Sequence, residues 1–194
     1  MKEYKKRESS GIRGAVLKDV TALGQVRVLC LCAMLSAMSV VLAYLAKLVF
    51  GLGALRVTFE NFPIIFGGIA FGPLAGALVA IVADLCSCLW AAQAPNPLIL
   101  VGAAAVGVTA GVLGRYVLKK KQWWSLFWVE LAAQFLGSVL LKSLALHVYY
   151  GYAPLLLLPR VPIYLGIAIC ESYLLCAIYK NKSFVALLER MCRK

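Results

Sequence analysis

From residue 27 onward the chain alternates long apolar runs with short breaks rich in proline, glycine or charge. A membrane-spanning helix needs about 20 predominantly apolar residues. Six runs fit that pattern: Arg27–Phe50, Thr58–Phe71, Pro73–Ala91, Pro97–Leu118, Ser125–Val148 and Val161–Tyr179, the second of them short. Between the second and third stands Phe71-Gly72-Pro73. Proline has no backbone N–H to donate but suits the first position of a helix. One helix is therefore predicted to end at Phe71 and the next to begin at Pro73. The stretch Leu55–Trp90 is almost wholly apolar, yet it holds Arg56, Glu60, Asn61 and Asp84. A carboxylate such as Asp84 in an apolar run is costly unless it has a partner or a task. This hairpin is expected to be built around a polar spot.

The later spans carry ordered polar positions. Glu130, Gln134, Ser138 and Lys142 recur every four residues. In an α-helix they form one slowly turning polar stripe, which must face the bundle interior or a cavity. Arg160 stands at the mouth of the sixth span, and Tyr164, Ile167 and Glu171 follow it on one face. Small residues mark close packing: Ala103, Gly107 and Gly111 in the fourth span, Ala33 and Ala37 in the first. Two connections lie on the same predicted side. One runs from Lys47 to Arg56 with glycines at 51 and 53; the other sets Asn96 between two prolines. Asn96 reads equally as a turn residue and as a hydrogen-bonding group at the mouth of the bundle.

Composition agrees with the pattern: 63% of residues are hydrophobic and the mean hydropathy is +0.88, well beyond soluble domains. The fold class predicted is all-α, a polytopic bundle of six transmembrane helices. It comprises a polar N-terminal segment (1–26), a membrane domain (27–179) and a basic tail (180–194). The net charge of +12 raises nucleic acid as a partner, but its distribution argues against that. Sixteen of the 20 cationic residues fall in the N-terminal segment, the connection after the fourth span and the C-terminal tail, with Arg27 and Arg115 at the adjoining span ends included, all on one side of a six-span topology. The positive-inside rule then places both termini in the cytoplasm of a cell-membrane protein. Lys119–Lys121 followed by Trp123 and Trp124 reads as an interfacial anchor. The N-terminal segment shows no signal-peptide pattern.

Seven cysteines, mostly within spans and spaced C-x-C, read as small hydrophobes rather than metal ligands. No zinc-hydrolase, nucleophile-elbow or P-loop motif is present, so neither catalysis nor a bound cofactor is expected. The polar groups converge on binding instead. Asp84, Lys142, Arg160 and Glu171, with Asn61, Asn96, Gln134, Ser138 and Tyr164, fall mostly in the outer half of the bundle. Phe59, Phe62, Trp90, Tyr149 and Tyr164 supply aromatic surface nearby. This suits an outward-facing pocket for a flat aromatic ligand bearing carboxylates. The bland alternative is that Asp84–Lys142 and Glu171–Arg160 are ion pairs that hold the helices together.

The run Leu55–Leu89 resembles the second and third helices of the substrate-binding S-components of energy-coupling-factor (ECF) vitamin transporters, with the folate-type branch as the nearest likeness. The match rests on Leu55–Ile64, the Phe71–Pro73 turn and Ala83–Leu85. Asn96-Pro97, Gly137–Ser143, Tyr149–Gly151 and Arg160 extend it over about residues 27–179. Two places depart from the folate-type pattern: Asn96–Ile99 and Lys142–Ala145. The resemblance implies a six-helix vitamin-capture subunit, with folate as ligand, that delivers it through a coupling transmembrane protein and two ATPase subunits. It implies docking of the coupling protein on Ala33 and Ala37, and a ligand capped by the loop at 51–56. Roles follow from it: Asp84 or Glu171 accepts the pterin N–H groups, and Lys142 and Arg160 hold the glutamate carboxylates. Asn61 and Asn96 orient the ligand, with Arg56, Trp90 and Tyr164 also at the site. Another vitamin or pterin, or an ion-coupled transporter, is the alternative.

Overall fold

The computed structural model describes residues 23–50, 59–92, 94–117, 122–151 and 160–192. The N-terminal segment to residue 22, the loop holding Arg56 and the lysines at 119–121 lie outside the described residues, as does the side chain of Arg160.

All the described elements are helical: α1 (Val26–Phe50), α2 (Asn61–Phe71), α3 (Pro73–Trp90) and α4 (Pro97–Gly111), which continues as a π-helical stretch, Val112–Val117. After it come α5 (Trp123–Ala133), a second π-helical stretch (Gln134–Leu141) and α6 (Lys142–Tyr150), which run on as one rod. The chain then forms α7 (Arg160–Lys180) and α8 (Lys182–Cys192). Five of the continuous helices are long and apolar enough to cross a membrane, and α2 is a shorter apolar one. Their outward faces are studded with exposed side chains such as Met34, Leu48, Val101 and Leu144, as a lipid-facing surface requires. Among the described residues the six predicted spans are present within a few positions of their expected ends. The tail after residue 180 was expected only as a basic segment; it forms α8, whose Leu188 joins the core and whose Phe184 ring lies against Phe66.

The Phe-Gly-Pro break behaves as predicted. α2 closes at Phe71, Gly72 adopts φ 105°, a conformation open to glycine, and Pro73 starts α3. The Arg115 guanidinium donates to the Ala70 carbonyl at 2.9 Å, satisfying a group that the end of α2 leaves unpaired.

Small residues hold the hairpin against α4. A Cβ at Gly107 would overlap the Gly76 backbone, one at Gly68 would come within 2.6 Å of the Gly107 carbonyl, and one at Gly111 within 2.5 Å of Pro73. The stripe read at Ala103, Gly107 and Gly111 is thus the seam where α2, α3 and α4 meet backbone to backbone. Around it Ile65, Phe71, Val79, Ala80, Val106 and Ala110 are buried.

Candidate functional site

α2 has 11 residues, so it rises only roughly 16 Å of the ~30 Å hydrocarbon thickness. Its first residue, Asn61, meets Gln134 and Ser138, which lie midway along the fifth span. Beside the part of that span that runs on to Tyr150, the bundle is not filled by α2, and the polar side chains gather around the level where α2 begins.

The stripe predicted on the fifth span is entirely inward. Glu130, Gln134 and Ser138 are 1% exposed or less, and Lys142 is 8% exposed. A pure α-helix would not keep it so. With 3.6 residues per turn, each step of four residues overshoots by about 40°, or about 120° over three steps. The eight-residue π-helical stretch from Gln134 to Leu141 has wider, i→i+5 turns, which absorb that drift. Close approach supports it: a Cβ at Gly137 would come within 2.7 Å of the Gly102 carbonyl, so α4 lies directly on this segment.

The side chains form a continuous chain of bonds. Asn61 Nδ2 donates to Gln134 Oε1 at 2.6 Å and to Ser138 Oγ at 3.0 Å. Gln134 Nε2 donates in turn to Glu171 Oε2 on α7 at 2.8 Å. One residue before Asn61, Glu60 pairs with Lys142 at 3.5 Å, and its backbone carbonyl accepts from Ser39 Oγ of α1 at 2.6 Å. A polar column thus ties α1, α2, the fifth span and α7 together. Four buried acceptor atoms on it have no donor: Asn61 Oδ1, both carboxyl oxygens of Glu130 and Glu171 Oε1.

The expected site residues divide. Asn61, Lys142 and Glu171 belong to this column. Tyr164 is buried on α7 and lines a cavity of about 380 Å³ between α5 and α7. That cavity is otherwise walled by apolar side chains and by Gln134, and several of its lining residues, Trp128 and Phe135 among them, are exposed on the membrane side. Asn96 is used locally: its Oδ1 accepts from the Leu98 amide at 3.0 Å and caps α4, the turn role weighed for it. Trp90 is 66% exposed and packs edge-on against Tyr44 of α1. Asp84 is half-buried on α3 and engaged by a neighbour. Lys142 meets the Glu60 carboxylate, a partner the sequence reading did not name. Glu60 and the deep Glu130 are the members sequence reasoning passed over. Glu130 stood on the predicted stripe without a site role; the signal for it was the i, i+4 spacing to Gln134.

On α1, Ala33 and Ala37 are exposed, whereas Cys32, Ser36 and Ser39 are buried. Ser36 Oγ donates to the Cys32 carbonyl at 2.9 Å and to the Val79 carbonyl of α3 at 3.2 Å. The small pair therefore faces outward, away from the chain's own core. Cys30, Cys32, Cys86, Cys88, Cys170 and Cys176 form no disulfide, and among the described residues no group of three or more potential metal ligands occurs.

The family model described as ECF transporter, substrate-specific component, matches residues 27–189. Among solved structures, the chain is similar to that of FolT bound with folic acid, at 23% identity and a TM-score of 0.62, over 77% of this chain and 92% of that one. It is also similar to the S component of a bacterial ECF transporter, at 24% identity and a TM-score of 0.61, over 80% of this chain and 95% of the other. At these identities the two structures establish a common fold. No curated protein matches the chain.

Proposed function

The chain belongs to the family of ECF transporter substrate-specific components, and we propose that it is the folate-binding subunit of such an importer. Membership makes it an integral membrane transport protein rather than an enzyme. The observation that carries the ligand-binding reading is the buried polar column beside a half-length α2. A bundle needing only stability gains little from such a column, because buried polar groups are costly unless fully satisfied. Here acceptor atoms remain open.

In this reading the ligand enters from the outer face. Lys142 and Arg160 hold the glutamate carboxylates, and Lys142 exchanges part of its contact with Glu60 for the ligand. Asn61 and Gln134 present the amide groups that orient the pterin. Glu171 acts on it through Gln134, while Asp84 accepts N–H groups. Arg56, Asn96, Trp90 and Tyr164 complete the surroundings, Asn96 by fixing the start of α4. The folate-bound FolT structure supports the choice of ligand through the shared fold. Exposed Ala33 and Ala37 offer a smooth strip on which a helix of the coupling protein can seat closely. Both termini are cytoplasmic, and two ATPase subunits drive delivery.

Reconstitution tests this. The chain in proteoliposomes with a coupling protein and its two ATPases should take up radiolabelled folate only with internal ATP. Uptake by the chain alone along a Na+ or proton gradient would replace the reading with an ion-coupled transporter.

A further inference from the structure

The described side chains of highest cost in the bundle are two carboxyls. Glu130 on α5 and Glu171 on α7 are both fully buried, and their carboxyls lie within hydrogen-bonding reach of one another. Neither oxygen of Glu130 has a donor, and only Oε2 of Glu171 accepts from a side chain, that of Gln134. The Phe62 amide also faces Glu171. Asn61, bonded to that same Gln134 and fully buried, adds an acceptor of a different kind, Oδ1, that is likewise without a donor. Four acceptor atoms on one network, three of them carboxyl oxygens, have too few hydrogens among them.

Among the described residues, no cation reaches the open carboxyl oxygens. Arg115, on the π-helical continuation of α4, is engaged with the Ala70 carbonyl, and α2, α4 and the π-helical stretch Gln134–Leu141 contain no charged residue. On α5 Glu130 is the only one, and on α7 the cations are at the two ends, at Arg160 and Lys180. Those ends lie 11 and 9 residues from Glu171, roughly 16 and 13 Å along the helix. Glu60 acts on Glu171 with the wrong sign, and Lys142 pairs with Glu60. Two carboxylates side by side in a low-dielectric interior do not both stay ionised and uncompensated. We propose that Glu130 and Glu171 form a binding site for one small monovalent cation, H+ or Na+, held between their carboxyls. A proton would sit on one carboxyl and donate to the other. Na+ would take oxygen ligands from both, with Asn61 Oδ1 in reach of the same network. The site joins α5 to α7 and touches the polar column through Gln134, so its occupancy conditions how those helices pack.

The proposal does not depend on the identity of the vitamin, and its test uses none. The purified full-length chain in detergent is examined in two ways. Thermal unfolding is followed with Na+ replaced by choline at constant ionic strength. Infrared spectra are recorded for the carboxylic-acid C=O band, which an ionised carboxylate lacks. If Na+ is the occupant, it raises the melting temperature by several degrees, and Glu130→Gln abolishes the dependence. If a proton is the occupant, melting is indifferent to Na+ and the acid band is present near neutral pH. That band then shifts when glutamate alone is 13C-labelled and is lost in Glu130→Gln or Glu171→Gln. The isotope label needs no substitution, so the test survives a variant that does not fold. Melting that ignores Na+ together with no glutamate acid band overturns the proposal.

Discussion

Replacing Asn61 with alanine removes two buried hydrogen bonds at once, those to Gln134 Oε1 and Ser138 Oγ. Each such bond is worth about 0.5–1.5 kcal/mol net in a folded protein, and averages about 0.6 kcal/mol between membrane helices. Ser138 can turn its hydroxyl elsewhere, whereas Gln134 is held by Glu171 and leaves its carbonyl oxygen open. The change also removes Asn61 Oδ1, itself without a donor, which returns part of the loss. The expected destabilisation is roughly 1–3 kcal/mol. SDS-driven unfolding in mixed micelles, followed by circular dichroism, measures it. A double-mutant cycle with Gln134→Ala should give a coupling of about 0.5–1.5 kcal/mol. The same cycle with Ser36→Ala, which shares no bonding partner with Asn61, should be additive within ~0.5 kcal/mol. A loss below ~0.3 kcal/mol, or full additivity between Asn61 and Gln134, would refute the idea that this column is one coupled unit.

Gly107→Ala drives a methyl group into the Gly76 backbone; separating α3 from α4 should cost roughly 1–3 kcal/mol on the same unfolding assay, while Gly166→Ala, with open space around it, should cost less. Ala33→Trp and Ala37→Trp should leave folate binding by the isolated chain intact and abolish its co-purification with the coupling protein; loss of binding instead would place those residues in the ligand site. Arg160→Ala should weaken folate more than a pterin lacking the glutamate, as compared by equilibrium dialysis. Equal weakening of the two would remove Arg160 from the carboxylates.

Much of this architecture was legible because membrane helices write long words. The Phe71–Pro73 turn announces itself through one proline that can only start a helix and one glycine that can take a positive φ. The seam at Gly107 and Gly111 is equally visible, since small residues four apart have few other uses in a span. The site was harder to read. Spacing assigns a residue to a face of its own helix, but says nothing of which helix stands opposite or at what depth. Lys142 turns inward as its spacing requires, and a carboxylate it meets is that of Glu60, at the entry to α2. Glu171 likewise reads as a ligand acceptor, and the spacing along its own helix does not reveal that Gln134 and Glu130 stand opposite it. The π-helical stretch has no signature in a four-residue repeat, though it is what keeps the repeat aligned. Amphipathic α8 was hidden by its basic residues, which suggested a solvated tail.

The most direct measurement is a folate titration of the purified chain followed by its tryptophan fluorescence, with riboflavin, thiamine and pantothenate as controls. Tight quenching by folate alone is the predicted result. Tight binding of a control vitamin in its place, or of none by protein shown to be folded, would contradict the proposed function.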